Sequence, residues 1–349
     1  MRSTIMRSAV LAAALAAAGT AAAAGPLFPV RKDGKWGYID RAGAVVIAPR
    51  FERAERYSEG LAAVEADGKR GYVDETGKLA LIPEQAPAGE VHRRFSDGLA
   101  AVKSGGAIGF IDRTGKLAVP ARFTSADDFS EGYAFACDEA GCGYIDRAGR
   151  PVVGAGLLAG KPFQNGVAGV ALRGGRHGAK RYMLHDAKRG RLVGDYDDVG
   201  PLSEGLIPVR FDGRWGYVDA SGRPVIRPRF AGAGAFSEGL APVHPQVWSC
   251  GYADKSGALA IPARFRLCFG FAEGRARVEL LGTDPKVQQP AFIDRTGAVV
   301  IDGTKAKPPF QSAEDFSGGL AAVESASASG GKRLGYVDAS GRYVWPPTE

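Results

Sequence analysis

One nine-residue stretch organises this chain of 349 residues: Lys35-Trp36-Gly37-Tyr38-Ile39-Asp40-Arg41-Ala42-Gly43. Its central step, a Gly-aromatic-x-Asp tetrapeptide with a glycine three residues after the Asp, recurs along the sequence. Seven clear copies and two degenerate ones start at positions 37, 71, 109, 143, 181, 216, 251, 291 and 335. Spacings of 34 to 44 residues predict a tandem repeat whose neighbouring units stack on one another.

Each unit predicts three short strands. Strand one is an alternating run such as 61–64, and it follows an aromatic-Ser-Glu-Gly step such as 57–60. Strand two is the signature, and strand three is a β-branched run such as 45–49, which ends at proline because proline cannot donate to a ladder. The Asp-x-x-Gly step between strands two and three is typical of a tight hairpin turn. The sequence therefore predicts an all-β tandem array of nine three-stranded β-meander units.

The units are expected to start near residues 27, 61, 99, 133, 167, 206, 240, 275 and 320, inside one repeat domain that spans 26–349. Propeller blades usually have four strands. Three strands per unit favour an open or curved, solenoid-like repeat sheet, and a closed propeller-like ring is the alternative.

The composition supports this fold and excludes several functions. Glycine and proline together make up a fifth of the chain, with 50 Gly and 21 Pro, which predicts many turns. Only 4 His and 4 Cys are present, so a large metal cluster or a His-rich catalytic site is not expected. The sequence holds no Gly-x-Ser-x-Gly elbow and no phosphate-binding Gly-rich loop. We therefore predict no catalytic, cofactor-binding or metal-binding residues and no cofactor.

The first 25 residues have the layout of a secretory signal. Arg2 and Arg7 precede an Ala-rich apolar run at 9–18, and small residues at 21–24 offer a cleavage site just before Gly25 or Pro26. No later run of about 18 apolar residues follows, so no membrane span is expected. The mature chain is predicted to be periplasmic or extracellular.

Export favours disulfides over free thiols. Cys137 and Cys142 flank a four-residue turn at 138–141, which favours their pairing and leaves Cys250 for Cys268. Four cysteines allow three connectivities, which stay open at this point. Neither pair has the C-x-x-C spacing of a zinc site.

The Lys35–Asp40 core, the x-x-Gly turn after it and the Phe-Ser-Glu-Gly step resemble the WG-repeat family of bacterial β-repeat proteins. The resemblance runs from about Leu27 to Trp345. The Trp-Gly pair itself stands only at 36–37 and 215–216, and the other units depart from the family pattern at the Trp position. The resemblance implies a β-rich array that mediates contacts, with no family-wide catalytic residue to transfer.

Two repeated carboxylate series invite a functional interpretation. An Asp ladder could bind Ca²⁺, but most units lack a second carboxylate at close spacing, so hydrogen bonds within each turn are favoured. A Glu series could supply a glycosidase pair, but a residue that recurs in every unit is expected to serve the unit. The turn residues are Asp40, Asp74, Asp112, Asp146, Asp186, Asp219, Asp254, Asp294 and Asp338, and the second series is Glu59, Glu131, Glu204, Glu238 and Glu273.

The formal charge of the whole chain is +7, and the stretch 173–191 alone carries a net +6. This excess of positive charge suggests an anion-binding patch. The basic groups divide between two turns at opposite ends of one strand, so a solvated hairpin is the alternative. Nucleic acid is not an expected partner. The candidate binding residues are Arg173, Arg176, His177, Lys180 and Arg181.

The length of the connection between strands one and two varies from unit to unit, whereas the Asp-x-x-Gly turn is nearly constant. Insertions often mark the binding face of a repeat protein. We therefore expect the variable rim, at 173–180, 279–290 and 324–333, to contact a partner. The alternative is that surface loops tolerate differences in length without a functional reason. The predicted function is an exported, monomeric, non-catalytic scaffold for a protein or envelope polysaccharide. A cell-envelope glycan-acting enzyme and a surface adhesin are the alternatives.

Overall fold

The computed structural model describes residues 25–83, 93–154, 156–174, 180–282, 288–327 and 330–348. The predicted signal segment lies outside this range up to residue 24. Every regular element of the described residues is a β-strand. The strands of units 1 to 4 are β1 (Phe28–Lys32), β2 (Lys35–Ile39), β3 (Val45–Phe51), β4 (Arg53–Ala54), β5 (Ala62–Ala66), β6 (Lys69–Val73), β7 (Leu79–Leu81), β8 (Ala100–Ser104), β9 (Ala107–Ile111), β10 (Leu117–Phe123), β11 (Ser125–Ala126), β12 (Tyr133–Asp138), β13 (Gly141–Asp146) and β14 (Pro151–Val153).

The remaining five units continue the same pattern. Their strands are β15 (Ala159–Gly160), β16 (Val167–Leu172), β17 (Arg181–Asp186), β18 (Arg191–Tyr196), β19 (Asp198–Val199), β20 (Leu206–Phe211), β21 (Arg214–Asp219), β22 (Pro224–Phe230), β23 (Gly232–Ala233), β24 (Ala241–Gln246), β25 (Ser249–Ala253), β26 (Leu259–Ala272), β27 (Arg275–Leu280), β28 (Pro290–Ile293), β29 (Val299–Asp302), β30 (Ser312–Ala313), β31 (Leu320–Ala326), β32 (Lys332–Asp338) and β33 (Tyr343–Thr348).

Each unit is an antiparallel meander, so the predicted all-β array is confirmed. Unit 2 shows the pattern, with strands in the order β4-β5-β6-β7. The three predicted strands are present in every unit. Most units add a short strand in front of them, as β4 does by pairing Arg53 with Glu65 and Ala54 with Val64. After this short strand, the chain reverses direction at the aromatic-Ser-Glu-Gly step and continues as strand one.

The hydrophobic core lies between neighbouring sheets. Tyr72 of unit 2 is fully buried, and its ring packs edge-on against Phe95 of unit 3 with centroids 4.9 Å apart. Tyr217 and Phe236 repeat this contact between units 6 and 7, again at 4.9 Å. Because the ring of one unit is covered by the next, no unit buries its own face alone. The signature aromatic is therefore an inter-unit residue.

The first and last units also pack against each other. Phe28 and Val30 share a buried cluster with Leu320 and Tyr336. The hydroxyl of Tyr336 donates a hydrogen bond to the carbonyl of Pro29 at 2.9 Å, across 307 residues of sequence. The described strands thus form a curved row of small sheets, not one barrel, and the two ends of the row meet. The row of separate small sheets agrees with the curved repeat sheet that the sequence favours, and the contact between units 1 and 9 is the one that the propeller-like alternative requires.

Two disulfides tie adjacent strands together, with the pairing that the spacing favours. Cys137 and Cys142 join β12 to β13, and Cys250 and Cys268 join β25 to β26. Both bonds fit an oxidising compartment. Within the described ranges, no helix is long and apolar enough to span a membrane.

Candidate binding sites

The signature aspartates are used by their own turns. Oδ1 of Asp219 accepts hydrogen bonds from the backbone N–H groups of Ser221 at 2.8 Å and Arg223 at 3.0 Å. Partial burial raises the pKa of Asp219, but these bonds, the Ser221 hydroxyl and the Arg223 guanidinium outweigh it and lower the pKa to about 2. The same Oδ1-to-amide pattern holds at Asp40, Asp74, Asp112, Asp146, Asp186, Asp254, Asp294 and Asp338.

The repeated glutamates hold one unit to the next. Glu59 has a left-handed backbone, with φ of 52°, and its carboxylate accepts the backbone N–H of Gly98 in unit 3 at 3.1 Å. We call this contact, from the acid of one Ser-Glu-Gly turn to the equivalent turn of the next unit, the carboxylate clasp. Clasps join Glu59 to Gly98, Asp97 to Gly132, Glu131 to Gly166, Glu204 to Gly239, Glu238 to Gly274 and Glu273 to Gly319.

Three junctions lack a clasp, because units 1, 5 and 9 carry Gly25, Asn165 and Gly318 at the position of the acid. Unit 5 carries Asn165 in place of the acid, and a cavity of about 460 Å³ opens there between units 5 and 6. Gly205, Lys188 and Arg223 also line it. The cavity lies on the constant rim, where the Asp-x-x-Gly turns stand.

A second cleft of about 360 Å³ follows the contact between units 1 and 9. Arg56 and Glu314 form an ion pair there, and Nζ of Lys332 lies 2.7 Å from Oε2 of Glu324. The hydrogen bond from Lys332 is the main cause of the lowered pKa of Glu324. Since these charges neutralise one another, the cleft is polar without an excess of either sign.

The variable rim carries an exposed apolar tip. Units 1, 2 and 6 turn from strand one to strand two through Asp-Gly, at 33–34, 67–68 and 212–213. Unit 7 has Val247-Trp248 at the same place, and these side chains are 70% and 85% exposed. The Cys250–Cys268 disulfide fixes β25 two residues beyond Trp248. The sequence interpretation missed this tip, although the replacement of Asp-Gly by two large apolar residues was a visible signal.

The tips of the flanking units are apolar as well. Phe211 of unit 6 is 37% exposed, and Leu281 of unit 8 is 56% exposed. Phe211 is the last residue of strand one in unit 6, and Leu281 directly follows strand one in unit 8, so the three units present apolar groups at the same rim. We call Phe211, Val247, Trp248 and Leu281 the apolar rim.

The predicted basic patch stays a prediction, and its described members lie at one end of a hairpin in which Leu172 pairs with Arg181. Arg173 and Lys180 are exposed on the variable rim, whereas Arg181 is half-buried with its Nε 3.6 Å from Oδ1 of Asp195. The six-residue strand β17 separates these residues from the basic turn at 188–191. Arg176 and His177 lie outside the described residues, as do parts of the predicted insertions at 283–287 and 328–329.

A metal site needs at least three His, Cys, Asp or Glu side chains close together. No such group is found among the residues that the structure describes. His185 is buried against the edge of Phe163, with ring centroids 5.9 Å apart, and burial lowers its pKa. This histidine therefore belongs to the core.

Comparison with known proteins agrees with the repeat. The model of the "WG containing repeat" family matches residues 36–69, 108–139, 194–215, 215–243 and 251–283. No curated protein sequence matches the chain.

Similar solved structures extend the likeness over nearly the whole chain. A crystal structure of a eukaryotic initiation factor matches with a TM-score of 0.64 and 12% identity, covering 91% of this chain and 95% of that one. Dipeptidyl peptidase 4 of Porphyromonas gingivalis matches with a TM-score of 0.55 and 9% identity, covering 85% of this chain and 59% of the peptidase. At these identities the likeness concerns the fold alone.

Proposed function

Since the chain belongs to the WG-repeat family, we propose that it is an exported, non-catalytic scaffold that binds a protein of the cell envelope through its apolar rim. The observation that carries the proposal is the Val247-Trp248 tip. A tryptophan that is 85% exposed has nothing of this chain over most of its surface. Large aromatic side chains of this kind are enriched among the residues that dominate binding energy at protein interfaces.

The base of the Val247-Trp248 tip is held in a fixed position. The Cys250–Cys268 disulfide holds the strand that follows it, and Cys250 is fully buried. A fixed base reduces the conformational entropy that is lost on binding. The neighbouring apolar groups of units 6 and 8 would widen the contact along the rim.

The use of the carboxylates supports the non-catalytic part of the proposal. Glu204 and Glu238, which could have formed an acid–base pair, each bind a backbone amide of the following unit. Partial burial raises the pKa of Glu204, but the hydrogen bonds from Gly239 and Lys255 outweigh it and lower the pKa, which favours the ionised state over proton transfer. The export of the chain stays part of the proposal and is supported by the two disulfides.

The test compares two variants of the full chain in capture from a cell-envelope fraction. The double variant Val247→Asp, Trp248→Gly installs the Asp-Gly turn that units 1, 2 and 6 already use, so its fold should be preserved. The control Leu79→Thr alters an exposed apolar residue of β7 on an outer strand. Proteins that are captured by the wild type and the control but not by the double variant are then purified, and their affinities are measured.

We expect the double variant to bind such a partner at least about 30-fold more weakly, in line with loss of a central aromatic contact. Equal affinity of all three proteins would refute the proposed rim. Release of peptides or sugars from envelope material, abolished by a single carboxylate substitution, would instead establish the enzyme alternative.

A further inference from the structure

The junction between units 5 and 6 keeps the backbone amide that donates the hydrogen bond of a clasp and lacks the carboxylate that accepts it. Asn165 stands where the acid stands in the preceding and following units. The receiving turn is unchanged, yet the N–H of Gly205 has no hydrogen-bond partner among the described residues. At the contact of units 9 and 1 the acid is also absent, as Gly318, but there the receiving residue is Pro26, which has no N–H. Unit 1 has Gly25 at the acid position, so the N–H of Gly60 in unit 2 lacks a clasp as well. The junction at Asn165 combines an unmatched amide with a polar side chain at the acid position and an adjoining cavity.

A basic side chain is lost at the same place. At some junctions a cation of the next Asp-x-x-Gly turn covers the clasp, as Lys255 does with its Nζ 3.1 Å from Oε2 of Glu204. The clasps of Glu131 and Glu273 have Ala187 and Ala339 at that position and persist without a cation. The equivalent residue at this junction is Ala220, which lines the cavity. A carboxylate and its cation have both given way to short, uncharged side chains, and the space that they would fill is the cavity of about 460 Å³.

The wall of the cavity retains positive charge. Arg189 and Arg223 lie 3.1 and 3.0 Å from the carboxylates of Asp186 and Asp219, so these four charges balance. Lys188 is exposed and also lines the cavity, and it forms no ion pair within the described part of the chain. One ammonium group is therefore available to an incoming anion.

We propose that this cavity binds a ligand carboxylate, which takes the place that a Glu side chain takes at the other junctions. The carboxylate accepts hydrogen bonds from the N–H of Gly205 and from the side-chain amide of Asn165, and Lys188 balances its charge. Charge-assisted bonds of this kind are the stronger ones. The volume beyond the carboxylate suits a short acid or the last residues of a peptide. The site lies on the rim opposite the apolar rim, so it is independent of the proposed function.

The test uses NMR of full-length mature protein labelled with ¹⁵N-glycine. Propionate and N-acetyl-alanyl-alanine supply the carboxylate of a small acid and of a peptide end, and propionamide and the C-terminal amide of the same peptide are the uncharged counterparts. Asn165→Glu rebuilds the clasp from within and should block the site. Gln246→Glu adds the same charge on the opposite rim and is the matched control.

We expect both carboxylates to shift the Gly205 amide resonance saturably, and the two amides to leave it in place. Asn165→Glu should weaken binding at least about tenfold, whereas Gln246→Glu should bind like the wild type. Lys188→Ala, a change at an exposed residue, should weaken binding about three- to fivefold. Tighter binding of the peptide acid than of propionate would identify a peptide end as the source, and equal binding would identify a small acid.

Equal shifts with acids and amides would overturn the proposal. So would wild-type affinity in a folded Asn165→Glu protein. Thermal melting shows whether Asn165→Glu loses binding because its site is blocked or because the protein is unfolded. The rebuilt clasp should raise the melting temperature of that variant.

Discussion

The hydrogen bond between Tyr336 and Pro29 allows a direct test of ring closure. Replacing Tyr336 with Phe removes only the hydroxyl, and the ring keeps its place in the cluster of units 1 and 9. The fold already tolerates phenylalanine at this signature position, at Phe110 and Phe292, both fully buried. The substitution therefore probes one bond and leaves the packing intact.

The expected cost follows from the geometry. The donor and the acceptor are 2.9 Å apart and buried. A hydrogen bond of this kind contributes about 1 kcal/mol, and leaving the carbonyl of Pro29 unpaired adds to the loss, so we expect the free energy of unfolding to fall by about 1–2 kcal/mol. Tyr217→Phe removes the equivalent bond to the carbonyl of Gly234, at 2.8 Å, inside the row of units. It should cost about the same.

Urea unfolding of the three proteins, followed by far-UV circular dichroism and tryptophan fluorescence, measures both losses. Equal slopes of free energy against denaturant would show that the substitutions act on the folded state alone. If Tyr336→Phe changed the free energy of unfolding by less than about 0.3 kcal/mol while Tyr217→Phe destabilised, the ends of the row would not be joined in solution. That result would refute the closed ring.

Two further predictions concern pH and the disulfides. The pKa of Asp219 is lowered from 3.8 to about 2 in the folded chain, so its contribution to stability is complete above about pH 4 and is lost as the pH falls towards 2. Urea midpoints measured at pH 5 and pH 3 should differ less for Asp219→Asn than for the wild type, and an equal difference would contradict the assignment. Removing the Cys250–Cys268 bond, which closes 18 residues, should cost about 3 kcal/mol, against about 2 kcal/mol for Cys137–Cys142, which closes 5. Serine pairs at each site and urea unfolding give the comparison, and the reverse order would rule out the loop-entropy explanation.

Much of the fold was predictable because each unit carries its turn signature within a short stretch of sequence. The Asp-x-x-Gly step requires a carboxylate and a left-handed glycine within four residues, and the structure uses both, as at Asp74 and Gly77. The short strand β4 was not predictable in the same way. Arg53–Ala54 is too brief to show an alternation, and it exists only because Glu65 and Val64 lie opposite.

The candidate sites were harder to predict from the sequence, because each site is formed by residues of different units. The sequence indicated that Glu59 serves the repeat, but its partner Gly98 stands 39 residues further on. No local rule links two residues at that distance. What the sequence does show is departure from the pattern: Asn165 in place of an acid, and Trp248 in place of a turn glycine. Both departures coincide with candidate sites, and only the fold reveals what surrounds them.

The clasps all run in one direction, from the acid of one unit to the amide of the next, so every unit has two different faces. Such heterologous interfaces either close into a ring or propagate without limit. A chain that lost one unit would therefore keep two complementary surfaces that no longer meet within the molecule. We expect such a shortened chain to associate end to end, because the two surfaces that it exposes are complementary.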